Sequence, residues 1–280
     1  MTLHYVVVGV DGSLVAVRAL DWAADEAVRR GAELRVVYAV PDGDEAGPVL
    51  TAALQRVRER HPDLEVALKA VPGSAVQALA RAGEGADLTV VGTRGYGNVA
   101  SLVARSVSAR LAARAPGPLL VVRGDHPCDE GREVVLGLEN DDEDADATAF
   151  AFREASRRGV GLRVLHAHTH RHSTPELPSL LPATSPGQRA QARQDLAEEA
   201  VPRFGIARLR ELHPDVGVDA RTVRTGPARA LVDATRDAAV VIIGTHRRTG
   251  PLGPHLGTVA HTLLHRSHCP VVLVPAASHH

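Results

Sequence analysis

Aromatic side chains are scarce in this chain: one Trp, three Tyr and three Phe among 280 residues. Single-stranded nucleic acid is held largely by stacking of bases on aromatic rings, so that mode of binding has no surface to use. Net charge is almost absent as well. Lys plus Arg number 32 against 33 Asp plus Glu, a formal charge of -1, which removes any bulk attraction for duplex DNA or an anionic bilayer. No apolar run approaches the roughly 18 residues of a membrane-spanning helix. The opening MTLHYVVVGVDGS lacks the charged-then-apolar layout of a secretory signal. Cys128 and Cys269 are isolated, without CxxC spacing, and read as two reduced thiols. These absences lead to the expectation of a cytoplasmic protein with neither nucleic acid nor membrane as partner.

Several catalytic signatures are missing too. There is no P-loop and no GxGxxG after the first apolar run, which disfavours kinase-like ATPase and dinucleotide readings. No GxSxG elbow follows a strand, and neither cysteine lies in a loop with a plausible base. A phospho-receiver would want an aspartate after the third strand, where this chain has Val71-Pro72-Gly73.

What the sequence does contain is itself, twice. Sliding it by 128 residues matches Val6-Val7 with Val134-Val135, Gly9 with Gly137, Glu26-Ala27 with Glu154-Ala155, and Arg29–Gly31 with Arg157–Gly159. An offset of 152 matches His61–Asp63 with His213–Asp215, Gly92-Thr93 with Gly244-Thr245, and Pro118 with Pro270. The difference of 24 residues is an insertion in the second copy, rich in proline at Pro175, Pro178, Pro182 and Pro186 and expected as a surface loop. The predicted domains are 1–126 and 131–280, the second carrying the inserted loop at about 169–190.

Each copy alternates strand and helix. YVVVGV is a continuous apolar run too short for a helix and reads as a buried parallel strand. LVAVRALDWAADEAVRRG is an amphipathic helix closed by Gly31. The strands ELRVVYAV, LEVALKAV, DLTVVG and PLLVV follow, with helices between them. The expected class is α/β: two tandem five-stranded, parallel, doubly wound sandwiches of Rossmann-like type.

In such sheets a ligand binds past the carboxyl ends of the strands, where the winding reverses. With strand one central, that point lies between strands one and four. Strand one leads into Gly9-Val10-Asp11-Gly12-Ser13, and strand four into Gly92-Thr93-Arg94-Gly95-Tyr96-Gly97. Glycines there permit positive φ and close approach of backbone N–H groups to an anion, although tight turns alone would use them equally. Ser106 is placed to cap the next helix, whose N-terminus favours phosphate. Asp11 can accept from a ribose hydroxyl or a base edge.

Taken with the five-strand pattern, these motifs resemble the universal stress protein family over nearly the whole chain, twice. The resemblance implies an adenine nucleotide α-hydrolase-like fold and a nucleotide motif of glycine, two residues, glycine, nine residues, glycine, then Ser or Thr. Gly92, Gly95 and Ser106 match it in the first copy, with Arg105 in place of the third glycine. Gly244, Gly257 and Thr258 match it in the second, with Arg247 in place of the middle one. The strand-one signature GVDGS is intact in the first copy but reads Gly137-Leu138-Glu139-Asn140-Asp141 in the second. The candidate nucleotide residues are therefore Gly9, Asp11, Gly12, Ser13, Val40, Gly92, Arg94, Gly95, Gly97, Arg105, Ser106 and Val107. A weaker second set is Gly137, Glu139, Gly244, Arg247, Gly257 and Thr258.

Arg105 either crowds the terminal phosphates or pairs with them. Acids crowd the second entry from Glu139 to Asp146, disfavouring polyphosphate unless a divalent cation intervenes. The expected ligand is ATP, with Mg where a cation bridges its phosphates, bound mainly by domain 1 as a regulatory ligand in a stress-response protein. No catalytic residue or dedicated metal site is assigned, and an enzyme is not expected beyond weak ATPase activity. The alternatives are a slow ATP hydrolase and a nucleotide-free interaction scaffold. His166 falls at the position of Tyr38, and His168, His170 and His172 run into the inserted loop, so solvated histidines rather than metal ligands are expected. The apolar fifth strands, PLLVV and PVVLV, are open templates that need covering. The resemblance implies that they pair within the chain, with a homodimer as a further option.

Overall fold

The computed structural model describes residues 4–40, 46–93, 107–123, 132–139, 144–167, 206–245, 248–250 and 253–276. Its first half runs β1 (Tyr5–Val10), α1 (Leu14–Arg30), β2 (Glu33–Val40), α2 (Ala46–Arg60), β3 (Val66–Pro72), α3 (Ala75–Ala82), β4 (Leu88–Gly92), α4 (Val107–Ala112) and β5 (Leu119–Val122). The second half runs β6 (Glu133–Leu138), α5 (Ala145–Arg158), β7 (Leu162–Ala167), a helix described over 206–212 (α6), β8 (Val218–Val223), α7 (Pro227–Ala234) and β9 (Ala238–Thr245). A hairpin of β10 (Arg248–Gly250) and β11 (Gly253–His255) follows, then α8 (Thr258–Arg266) and β12 (Val271–Pro275).

Ten strands form one sheet in the order β3-β2-β1-β4-β5-β12-β9-β6-β7-β8. Within each half of this sheet the ladders are parallel and the first strand is central, flanked by the second and fourth. This is the α/β class expected from the alternation of runs. Val6, Val7 and Val8 are completely buried because helices cover both faces of a parallel sheet, which is why the run has no polar alternation. Outer strands β3 and β8 are largely exposed or half-buried, and β8 carries Asp219, Arg221 and Thr222 accordingly.

Local signals set the helices. Ser13 Oγ accepts the Ala16 N–H at 3.3 Å and starts α1. Gly31, at φ +58°, ends it by donating back to the carbonyls of Ala27 and Val28. Gly159 ends α5 in the same way, at φ +65°. Both HPD segments make one turn, in which the histidine N–H reaches back into a helix and its carbonyl accepts from the residue three later.

Between the halves, β5 and β12 form the one antiparallel ladder of the sheet, pairing Val121 with Val271, Leu120 with Val272 and Leu119 with Leu273. All four residues of β5 are buried. Arg123 Nη1 also donates to the Leu264 carbonyl of α8 at 2.7 Å.

Helices α1 and α5 meet through a buried ring of charge. Glu26 pairs with Arg30 and Arg158; Glu154 pairs with Arg158 Nε and Arg30 Nη2, each at 2.6 Å. All four are residues of the internal repeat, Glu26 matching Glu154 and Arg30 matching Arg158. The repeat also carries the rings that lie under the guanidinium groups. Phe150 is 5.9 Å from Arg30, and Trp22 is 5.7 Å from Arg158.

The inserted segment expected at 169–190 lies outside the described residues. The hairpin β10–β11 is an element that the sequence reading does not contain. Its strands are three residues each, too short to leave a period, and two residues, Pro251-Leu252, separate them. His166 sits on β7 at the position that Tyr38 holds on β2, buried rather than solvated, with Nδ1 3.1 Å from the Leu138 carbonyl. His168, His170 and His172 lie outside the described residues.

Candidate functional site

The winding of the first half reverses between β1 and β4, which pair directly from Val6↔Leu88 to Val8↔Val90. In folds of this kind the crevice for a ligand lies past those carboxyl ends, where Asp11–Ser13 follow β1 and Gly92 ends β4. Gly12 is in the left-handed region at φ +75°, where a side chain is strained, and a Cβ there would come 3.5 Å from Val49 Cγ2 of α2. This conformation turns the chain back so that Ser13 N and Oγ both donate to Asp11 Oδ1, at 3.0 and 2.5 Å. Asp11 and Gly12 are exposed. The sequence Asp-Gly-Ser thus makes an Asx-type turn and a helix cap in three residues.

Gly92, on the facing strand, is glycine for another reason. A Cβ there would lie 2.7 Å from the Val15 carbonyl oxygen, so the start of α1 packs directly on the end of β4. Val40 ends β2 on the other side of β1, buried, with its carbonyl accepting the Gly73 N–H at 3.0 Å. Val107 begins the described part of α4 and is 39% exposed; Leu14, the first residue of α1, is 79% exposed. Arg94, Gly95, Gly97, Arg105 and Ser106 lie outside the described residues.

Gly9 has a role that the sequence reading did not give it. A Cβ would come 2.8 Å from Leu79 Cδ1 of α3, so its missing side chain admits a helix rather than an anion. Gly137 repeats the arrangement, with Leu231 Cδ1 of α7 at 2.8 Å. Leu79 and Leu231 correspond at the same 152-residue offset that pairs the HPD segments, a signal that could have found the contact.

The second half assembles its set differently. Glu139 follows β6, and its N–H donates to Asp144 Oδ2 at 2.7 Å. Gly244 lies near the end of β9 beneath the Asp144 side chain. Gly257 stands just before α8 with no neighbour within 4 Å of a built Cβ, and Thr258, exposed, is the first residue of that helix. Arg247 lies outside the described residues.

Other reactive groups are held away from such chemistry. Burial pushes the Cys269 thiol up to about 12, so the nucleophilic thiolate is scarce at neutral pH. His261 and His265 stand one turn apart on α8 with ring centroids 4.5 Å apart and tilted by 53°, and burial, His261 and Arg123 lower the His265 pKa. Among the described residues, no helix is long and apolar enough to cross a membrane, and no three metal-ligating side chains are gathered.

The model of the universal stress protein family matches residues 3–53, 42–123 and 131–275. Universal stress protein Rv2005c of Mycobacterium tuberculosis is 32% identical, with 96% of each chain covered. A universal stress protein of Mycolicibacterium smegmatis is 32% identical over 98% of this chain and 97% of its own. Among solved structures, a universal stress protein of Archaeoglobus fulgidus matches with a TM-score of 0.64 at 15% identity, over 99% of this chain and 97% of the other. The cytoplasmic domain of a prokaryotic cation chloride cotransporter matches at 0.55 with 10% identity, over 98% of this chain and 95% of the other. At these identities the two structures speak for the fold alone.

Proposed function

This chain belongs to the universal stress protein family, and from that premise we propose that its first half binds an adenine nucleotide, ATP foremost, as a regulatory ligand. The turn at Asp11–Ser13 carries the proposal. Gly12 at φ +75° bares the backbone at the switch point, beside an exposed carboxylate and opposite the end of β4. That surface fits a nucleoside. Asp11 accepts from the ribose hydroxyls, Val40 forms part of the floor under the base, and Leu14 and Val107 offer apolar surface at two helix starts.

The phosphates belong beyond β4, with Gly92, Arg94, Gly95, Gly97, Arg105, Ser106 and Val107. Glycine backbone and arginine side chains suit the polyphosphate there, and a Mg ion bridging its oxygens would offset their charge. In this reading the nucleotide is held as a regulatory ligand rather than turned over. The same reading takes 1–126 and 131–280 as two domains that meet through β5 and β12 inside one cytoplasmic chain.

Mass spectrometry of the denatured, freshly purified protein tests the ligand. Recovery of an adenine nucleotide near one equivalent supports the reading. Nucleotide-free protein that also ignores added ATP overturns it in favour of an interaction scaffold.

A further inference from the structure

The two halves differ at the start of the helix that follows their first strand. In the first, α1 begins at Leu14 and the Val15 carbonyl stands over Gly92. Leu14 corresponds to Asp142 at the offset of 128, yet α5 begins at Ala145, three residues later. The helix start has withdrawn by almost one turn. The place it leaves is taken by a carboxylate.

Asp144 immediately precedes α5 and is 3% exposed. Its side chain makes no capping bond to α5. Instead Oδ2 accepts the Glu139 N–H at 2.7 Å, and Oδ1 stands over Gly244, where a Cβ of that residue would be built. The carboxylate therefore bridges the ends of β6 and β9, the two strands between which the second winding reverses.

We propose that Asp144 is the residue that closes the second half to nucleotide, so that the tandem chain takes one nucleotide asymmetrically. The inference rests on the reading that the first half binds nucleotide at the corresponding crevice. Three effects act together at Asp144. The Glu139 N–H, a backbone donor at the mouth of the crevice, is consumed by the chain itself. A carboxylate, 3% exposed, stands where a polyphosphate would approach. The start of α5 is also held against the end of β9, through the Asp144 side chain over Gly244. Glu139 adds to the same sign, whereas the first half has Gly12 and Ser13 after its lone aspartate.

Photolabelling of the full chain with 8-azido-ATP, followed by proteolysis and peptide mapping, tests this, with Asp144→Ala and Asp144→Asn beside the wild type. The asparagine variant removes the charge while keeping shape, and circular dichroism establishes that each variant is folded. The expected result is label on first-half peptides alone in the wild type. Second-half labelling should then rise by about tenfold in at least one folded variant, the equivalent of relieving one like charge. Second-half labelling of the wild type at the first-half level overturns the proposal, as do two folded variants with no gain. Should first-half peptides stay unlabelled throughout, the reading of the first half fails; a gain in the second half would still support the role of Asp144.

Discussion

Replacing Glu154 by glutamine should cost this protein about 3 kcal/mol, the low end of what breaking a buried ion pair costs. Glu154 is 2% exposed and receives Arg158 Nε and Arg30 Nη2 at 2.6 Å, while the Arg30 side chain is itself 1% exposed. The neutral amide would leave two guanidinium groups facing Glu26 alone. Arg30 Nε already has no hydrogen-bond partner, so the site has no spare acceptor to redistribute. Burial by itself would raise the Glu154 pKa, but the charges of Arg30 and Arg158, with the Arg158 hydrogen bond, carry it below the ordinary carboxylate value of 4.5. A depressed carboxylate contributes stability that is present above its unfolded pKa and is lost as pH falls through the folded one. The wild type should therefore lose stability faster than Glu154→Gln as pH falls below about 4.5, and the two should converge in acid.

Urea denaturation across pH measures both effects. Replacing the four buried residues with apolar ones, Glu26→Leu, Arg30→Met, Glu154→Leu and Arg158→Met together, should recover most of the loss, because the buried charges are then gone. Arg29, which pairs with Glu26 from a 19% exposed position, can turn to water. A Glu154→Gln penalty under about 1 kcal/mol, or one independent of pH, would refute the claim that the ring is buried and coupled.

Three shorter expectations come from other contacts. Gly9→Val should destabilise by about 1–3 kcal/mol through overpacking against Leu79, and Leu79→Ala should partly rescue it in a double-mutant cycle followed by thermal unfolding. Cys269 should resist iodoacetamide at pH 8 in the native state and react on unfolding, since burial holds its thiol up at about 12; rapid native labelling would contradict its placement. Substituting Val121 and Leu273 with Lys puts two charges into the buried β5–β12 ladder, and small-angle scattering should then show a less compact chain.

Legibility in the sequence differed between elements for physical reasons. Strands such as Tyr5–Val10 were visible because burial on both faces demands continuous apolar residues, and Gly31 and Gly159 mark helix ends whose left-handed geometry only glycine adopts cheaply. The turn at Asp11–Ser13 was legible for the same kind of reason. Gly9 was not, because a missing side chain that makes room for a leucine looks identical to one that makes room for a phosphate. Glu26 and Arg30 were visible as repeated letters, but charged residues near a helix end ordinarily face water, and only the approach of α5 buries them. Asp144 appeared within an acidic run. Its inward turn depends on where α5 begins, which composition does not set.

The central claim is that the Asp11–Ser13 turn of the first half holds an adenine nucleotide, and calorimetric titration of the full chain with ATP and Mg tests it most directly, with Asp11→Ala as comparison. Saturable binding near one equivalent is expected, weakened by about tenfold or more when the carboxylate that meets the ribose is removed. Absence of binding, or binding that Asp11→Ala leaves unchanged, would contradict it.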